Sequence, residues 1–317
     1  MPQEADISYS TNIGEYSFFF GTEFQKDLFL GLSAGIIAGN YTYRRDFLEI
    51  DDQNDYNFEF IPSDVEGEFT DIYSILTHDE IDANILGFNL RTGLLYQLNK
   101  NMNIGINYQI PSTLTVKESY YSSIRTELDD GSAPFESDLA SSEDYEYRIT
   151  KPGELSIGIA FTDFYGIGVS FSGQYIDYSN LNVDLISGNN FSFYDKVSVR
   201  DQQKELNNFM EDNYSAVFNY QLGLSYSMTD DVELKFGYAL QKGRSKIYEA
   251  DKNILSAGFS TKIMNNVILD VSGQYTSWDD RSVAYSYTDF ESGQNFSETV
   301  DHEITKTRIL AGIRILF

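Results

Sequence analysis

The sequence predicts an all-β fold: a transmembrane antiparallel β-barrel with about eleven strands visible of an expected fourteen. Three observations lead there. Apolar and polar residues alternate at period two in segment after segment. The connections between segments alternate between short and long. No stretch has the roughly 18 consecutive apolar residues a membrane helix needs, and the longest candidate, 28–39, is too short.

Taken in order, 16–24 carries Tyr16, Phe18, Phe20 and Phe24 on one parity, with Phe19 out of phase. Leu28, Leu30, Leu32, Ala34 and Ile36 form the row of 28–36. In 86–98, Leu86, Phe88, Leu90, Leu94, Tyr96 and Leu98 oppose Asn89, Arg91, Gly93 and Gln97. Met102, Ile104, Ile106, Tyr108 and Ile110 follow, opposed by Asn103, Gly105, Asn107 and Gln109. The same alternation marks 155–161, 167–175, 218–226, 232–240 and 267–275. The segment 252–263 is the weakest, with Ile254, Ala257 and Phe259 in mixed phase. The last, 304–317, places Ile309, Ala311, Ile313, Ile315 and Phe317 on one parity and Arg308, Gly312 and Arg314 on the other. One face of each strand wants oil and the other tolerates charge, as in a barrel wall between lipid and lumen.

Short links lie at 25–27, 99–101, 162–166, 229–231 and 264–266. Long ones lie at about 46–80, 118–146, 179–213, 243–252 and 279–301. Short periplasmic turns and long outer loops sort in this way in a membrane barrel. Between Asp46 and Glu80 there are twelve carboxylates and no Lys or Arg, which reads as a solvated outer surface. Hard oxygen ligands for a divalent cation are the sharper alternative, but no EF-hand spacing accompanies them. Within 179–213, residues 201–212 read as a short loop helix with Leu206, Phe209 and Met210 on one side.

The last strand must end on the short-turn side. Counting back, the first visible strand runs from the outside inward. A barrel that starts in the periplasm needs an odd number of strands before it, and bacterial barrels have even totals. Three more strands give fourteen. The expected domain is therefore a single outer-membrane barrel over 1–317, truncated at its N-terminus.

Composition narrows function. The net charge is −27, which repels phosphate backbones and argues against nucleic acid as a partner. No cysteine is present, so neither disulfides nor thiolate metal sites are expected. The start has no basic and apolar signal-peptide regions. The only histidines, His78 and His302, sit at loop positions and read as surface residues rather than parts of a Ser-His-Asp arrangement. Neither a catalytic site, a metal site nor a cofactor is expected. The polar parity supplies lumen-facing candidates: Arg91, Glu233, Lys235, Asp270, Arg308 and Arg314. They read as a bracing network of mutually paired charges, or as a polar wall along a permeation path. Trp278, Tyr41, Tyr43, Tyr285 and Tyr287 stand near strand ends, where an interfacial aromatic girdle is expected.

Local sequence resembles the FadL/TodX-type outer-membrane transporters. The stretches are "NIGEYSFFFGTEFQKDLFLGLSAGI" (12–36), "LRTGLLYQLNKNMNIGINYQIPSTLTV" (90–116), "YEYRITKPGELSIGIAF" (145–161), "GQYIDYSNLNV" (173–183) and "ILSAGFSTKIMNNVILDVSGQY" (254–275). They stand in the order of the family's C-terminal part. The most telling are Tyr-x-x-Pro-x-x-Leu at Tyr108–Leu114, the "TKPGELSIGIAF" entry and "YIDYS". The resemblance implies a fourteen-stranded barrel with an N-terminal hatch, and lateral exit of a ligand through a kinked early strand. This sequence offers no hatch and no candidate for that strand, and no ligand-contacting residue carries over. The implied ligand is a fatty acid or an aromatic hydrocarbon, moved by binding and diffusion. The implied surroundings are outer-membrane lipid and lipopolysaccharide. The terminal row Ile309, Ala311, Ile313, Ile315 and Phe317 resembles the signal that the outer-membrane assembly machinery reads. Competing readings are a general porin-like channel, and a surface adhesin or scaffold built on the acidic loops.

Overall fold

The computed structural model describes residues 2–54, 61–62, 69–131, 134–186, 193–247, 250–264, 266–288 and 294–315. The strands in chain order are β1 (Gln3–Gln25), β2 (Leu28–Ile50), β3 (Ile61–Pro62), β4 (Phe69–Thr70), β5 (Ile72–Asn99), β6 (Met102–Gln109), β7 (Ser112–Leu128) and β8 (Phe135–Lys151). They continue with β9 (Glu154–Phe164), β10 (Ile167–Asp177), β11 (Asn182–Leu185), β12 (Ala216–Thr229), β13 (Val232–Gln241), β14 (Lys252–Met264), β15 (Val267–Thr288) and β16 (Asn295–Ile315). One helix, α1 (Phe193–Asn213), lies between β11 and β12. It contains the expected 201–212 segment and starts earlier.

All strands but the small β3–β4 hairpin join one antiparallel sheet of fourteen segments. Three passes are each cut in two. β6 and β7 part at Ile110–Pro111, β8 and β9 at Pro152–Gly153, and β10 and β11 at a 3-10 turn, Tyr178–Asn180. The sheet is thus eleven passes wide, as the alternation predicts. The five short links shrink to two residues each. Tyr165 and Gly166 have φ of 54° and 77°, the pair of positive values a type I′ hairpin requires.

The apolar rows meet across every interface. One rung reads Phe20–Leu32–Thr92–Tyr108–Leu155–Tyr175–Phe218. Phe18 is 77% exposed, Phe20 67%, Leu86 60% and Leu255 55%. Each such side chain left in water would forgo about 1.5–3 kcal/mol. A face this large and this apolar belongs in lipid; it is the outer face, and the opposite one is the inner face. The uncertain phase of 252–263 is resolved by pairing. Leu255 lies opposite Tyr238 and Tyr275, so Leu255, Ala257 and Phe259 face outward, and Ile254 faces inward.

Three sequence expectations need correction. Most of the long loops are strand. β2 runs on to Ile50, β5 begins at Ile72, β7 runs to Leu128 and β8 starts at Phe135 within 118–146, and β15 and β16 enter 279–301. Backbone pairing needs no apolar side chains, so these extensions continue beyond the lipid with polar residues on both faces. Tyr41 and Tyr43 share parity with Gly35 and face inward, opposite Ala83 and Ile81. Trp278 shares the inward parity of Asp270, and Lys252 sits 5.0 Å over its ring. These three side chains do not form the lipid-facing girdle. Tyr285 and Tyr287 lie in the distal part of β15.

Among the described residues β1 pairs only with β2, and β16 only with β15. Both run toward the short-turn side. Direct closure would be parallel; an all-antiparallel barrel takes an odd number of strands between them. In lipid, unpaired backbone groups at such edges cost several kcal/mol each.

Candidate functional site

The inner face is divided at mid-height by a belt of polar side chains. Glu15 on β1 reaches across β2 to Arg91 on β5, at 2.6 and 2.9 Å, and accepts from Asn89 Nδ2 at 2.9 Å. It can cross because position 35 is glycine: a Cβ there would lie 2.3 Å from Glu15 Oε1. Arg91 Nε donates to Gln109 at 2.8 Å, and Gln109 lies 3.5 Å from Glu154. Gln174 donates to Glu154 at 2.9 Å and accepts from Asn219 at 3.1 Å; Asn219 accepts the Lys242 N–H at 2.9 Å. The chain of contacts runs from β1 to the end of β13. Paired charges bridging neighbouring strands fix register while satisfying each other in a poorly solvated interior.

The belt coincides with the break at Pro111. Gln109 pairs with Arg91, and Thr113 pairs with Phe88. Three residues (110–112) therefore oppose two (89–90), a one-residue bulge that reverses the parity of the strand above it. Proline lacks an N–H and suits such a position. β8–β9 makes the matching break: Glu154 pairs with Gln109 and Lys151 with Ser112. Glycine is needed at 153, where a Cβ would lie 2.8 Å from the Tyr108 hydroxyl oxygen and 3.1 Å from the Gln109 carbonyl oxygen. At this bulge Asn89 and Ser112 are each 2% exposed, and Asn89 Oδ1 and Ser112 Oγ have no hydrogen-bond partner among the described residues.

Above the belt the inner face becomes apolar. One rung reads Ile37–Gly87–Leu114–Ile149–Val183, and the next Gly39–Ile85–Val116–Tyr147–Leu185. Ala83, Val116 and Val183 are buried. Higher still the face is tyrosine-rich, with Tyr41 and Tyr43 on β2, Tyr120 on β7 and Tyr145 on β8. The Tyr145 and Tyr147 rings lie 5.8 Å apart, and Tyr147 donates to Glu118 at 3.0 Å. Arg45, bound to Asp79 at 2.5 Å, closes the top of this wall. Below the belt the inner face is mostly glycine, serine and asparagine, with Phe29 and Leu95 among them, and holds a shallow depression of about 490 Å³ over Gly31, Gly93, Gly105 and Gly158.

The exposed edge of β11 is met by α1. Asn207 accepts the Val183 N–H at 2.8 Å and donates to the Val183 carbonyl at 3.0 Å; Gln203 accepts the Leu185 N–H at 3.1 Å. Two side-chain amides thus stand in for a neighbouring strand.

All six charged candidates from the sequence lie on the inner face. Only Arg91 belongs to the belt. Lys235, Glu233, Asp270 and Arg314 form a second cluster, with Lys235–Glu233 at 3.1 Å, Lys235–Asp270 at 3.6 Å and Arg314–Asp270 at 3.2 Å. Ser260 joins Lys235 at 2.7 Å and also donates to Asp270. Arg308 lies opposite Gln274 and has no ion pair among the described residues. Asn89 and Gln109 stand on the polar parity of the sequence, but local alternation does not join them to Gln174 and Asn219 or mark Glu15 and Glu154 as members of the belt. A polar residue recurring at matching ladder positions on successive strands was the available signal. The outward row Ile309, Ala311, Ile313 and Ile315 lies along edge strand β16, with Ile309 77% and Ile313 70% exposed. Phe317 lies outside the described residues.

His78 lies on the outer face, with Nδ1 2.6 Å from Asp46 and Nε2 3.7 Å from Glu80. Both ring nitrogens face carboxylates, so this imidazole has none left to activate a serine. Among the described residues no helix is long and apolar enough to cross a membrane, and no His/Cys/Asp/Glu group is arranged to hold a metal ion.

The chain matches the family model described as outer membrane protein transport protein (OMPP1/FadL/TodX) over residues 53–310. Its fold is similar to the crystal structure of a Pseudomonas aeruginosa FadL homologue, with TM-score 0.53 and 13% identity, covering 99% of this chain and 69% of that one. The P. putida toluene transporter TodX aligns with TM-score 0.48 and 11% identity over 99% of this chain and 82% of that one. A monoaromatic hydrocarbon channel, CymD, gives 0.44 and 11% over 99% and 86%. Among curated protein sequences nothing matches. With an apolar outer face, an antiparallel sheet eleven passes wide and a family match over most of its length, the chain belongs to the OMPP1/FadL/TodX family of outer-membrane transporters for hydrophobic compounds.

Proposed function

We propose that this chain moves long-chain fatty acids across the outer membrane by binding and diffusion along its inner wall, without chemistry or energy coupling. The observation that carries this reading is the change at the belt from a polar to an apolar inner face. Ser112 to Tyr120 is nine residues of one strand, eight steps or roughly 26 Å of wall, which suits an extended acyl chain. Transfer from water to that wall is favoured by the apolar area covered. Ser112 and Lys151 face each other at its foot. Arg91 is already held by Glu15, whereas Lys151 makes no ion pair within 4 Å among the described residues and feels the Glu15 charge only at longer range. A carboxylate head would engage Lys151 and the orphan Ser112 hydroxyl together. An aromatic hydrocarbon is the second reading, favoured by the Tyr145–Tyr147 pair, but it leaves that hydroxyl unpaired. Such a deficit costs binding.

The test is saturable binding of labelled oleate to the complete purified protein, with toluene as competitor. Lys151→Met weakens oleate and spares toluene; Val116→Asp weakens both by tenfold or more. Oleate binding no stronger than to an unrelated barrel refutes the reading. Steady planar-bilayer conductance indifferent to oleate favours the porin alternative. The outward row Ile309, Ala311, Ile313 and Ile315, with Phe317, serves on this reading as the recognition strand for the assembly machinery. Replacing these residues by serine then lowers the amount inserted in the outer membrane.

A further inference from the structure

The geometry points to a saccharide-binding site on the outer wall, formed by His78, Tyr121, Arg125 and Asp138 together with Asp46 and Glu136, that takes the core sugars of the surrounding outer-leaflet glycolipid. The six residues line a hollow of about 420 Å³. Its direction follows from register. Phe88, Leu86, Asn84, Asp82, Glu80 and His78 share the outward parity of β5 without an intervening bulge. Phe88 and Leu86, 52% and 60% exposed, are the apolar members of this run, and the next apolar residue of that parity, Leu76, lies beyond His78 and lines the hollow. His78 is eight residues beyond Leu86, about 26 Å of strand, or roughly 20 Å of height at the usual barrel tilt. The hollow therefore looks sideways above the lipid, into the layer where glycolipid head groups stand, and away from the inner wall.

The lining suits hydroxyls rather than a free charge. Arg125 is 3.2 Å from Glu136 and 3.3 Å from Glu127. His78 is 2.6 Å from Asp46, and Tyr121 donates to Asp138 at 2.8 Å. Arg125 and His78 are already matched by carboxylates, so a phosphate finds no free cation, and among the described residues no His/Cys/Asp/Glu group is arranged to hold a metal ion. Carboxylates, a guanidinium fork and a phenol leave lone pairs and N–H groups for vicinal hydroxyls. The His78 and Tyr121 rings, 6.2 Å apart and tilted by 55°, supply flat apolar surfaces for the C–H face of a pyranose. A few convergent polar groups beside such rings are the ordinary make-up of a small-ligand site.

The test compares lipopolysaccharide carrying a complete core with the lipid A form lacking it, each titrated against the full protein in nanodiscs. The complete core binds at least tenfold more tightly to the native protein. Tyr121→Ala and Asp138→Asn bring the two forms within about twofold, and Ser119→Ala, on the same face outside the hollow, leaves the preference intact. Hydrogen exchange on the native protein needs no variant: complete-core glycolipid protects 121–125 and 136–138, and lipid A does not. Equal affinity for the two forms, or the same exchange pattern with both, overturns the proposal. Hydrophobic-ligand binding on the inner wall is unaffected by these outer-wall changes, so failure here and failure of the transport reading are separable.

Discussion

Gly35 lets Glu15 lie across a whole strand, and substituting it tests whether the belt is an energetic unit. Gly35 is buried. A Cβ there would fall 2.3 Å from Oε1, 2.8 Å from Cδ and 3.0 Å from Cγ of Glu15. The carboxylate must swing away, losing its two contacts to Arg91 and one from Asn89. A hydrogen bond to a charged group contributes about 1.5–3 kcal/mol. The Glu15 and Arg91 side chains are 25% and 33% exposed, so water takes over part of that loss. Gly35→Ala should therefore destabilise the barrel by about 2 kcal/mol. In a Glu15→Ala background the clash is gone, and replacing a strand glycine with alanine is neutral or favourable by about 0.5–1 kcal/mol. Urea unfolding in micelles, followed by the single tryptophan, Trp278, supplies the four corners of the double-mutant cycle. A coupling of about 2 kcal/mol is expected. Additive effects would show that Glu15 and Gly35 do not communicate, and the belt would lose its structural role.

Other consequences concern the segments beyond the lipid. The His78 imidazole is raised above its ordinary 6.5, chiefly by the hydrogen bond to Asp46, against an opposing effect of burial. The stabilisation from this pair is complete below pH 6.5 and disappears as pH rises through the raised value. The urea midpoint should fall over that window, and His78→Gln should flatten the fall. Burial, then Asp71, Asp51 and Asp130, push the Asp129 carboxyl up. Its neutral form is favoured in the fold, so its contribution is present at low pH and lost as pH rises through the raised value; Asp129→Asn should raise the thermal midpoint at pH 7.5 and leave it unchanged at pH 4. Asn207→Ala removes both amide contacts to Val183, at a cost of about 1–3 kcal/mol for the orphaned strand edge. Protease cleavage within 199–212 should quicken while the membrane-spanning strands stay protected.

The eleven passes and five tight turns are legible in the sequence because period-two alternation is imposed by the backbone and sharpened by lipid. Where lipid ends, so does that signal: the outer parts of β5, β7 and β8 carry polar residues on both faces and read as loop. Pro111 was visible as part of a Tyr-x-x-Pro-x-x-Leu pattern, but its effect was not. One extra residue reverses parity, so that Leu114 and Val116, of the same parity as Ile104–Ile110, stand on the inner wall. Tyr41, Tyr43 and Trp278 were misplaced for a related reason, since nearness to a strand end does not say which face a ring takes. The Glu15–Arg91 bridge joins residues 76 apart in sequence and depends on register across β2, which no local pattern encodes.

The absence of cysteine gives the central claim a direct test. Leu114 and Thr115 are neighbours assigned to opposite faces, the first to the inner apolar wall and the second to the outer surface. Single cysteines at these two positions should both react with a maleimide in the complete barrel. Oleate at saturating concentration is predicted to slow modification of Leu114→Cys by at least tenfold and to leave Thr115→Cys unchanged. Equal rates at both positions with and without oleate would contradict a hydrophobic ligand path along the inner wall.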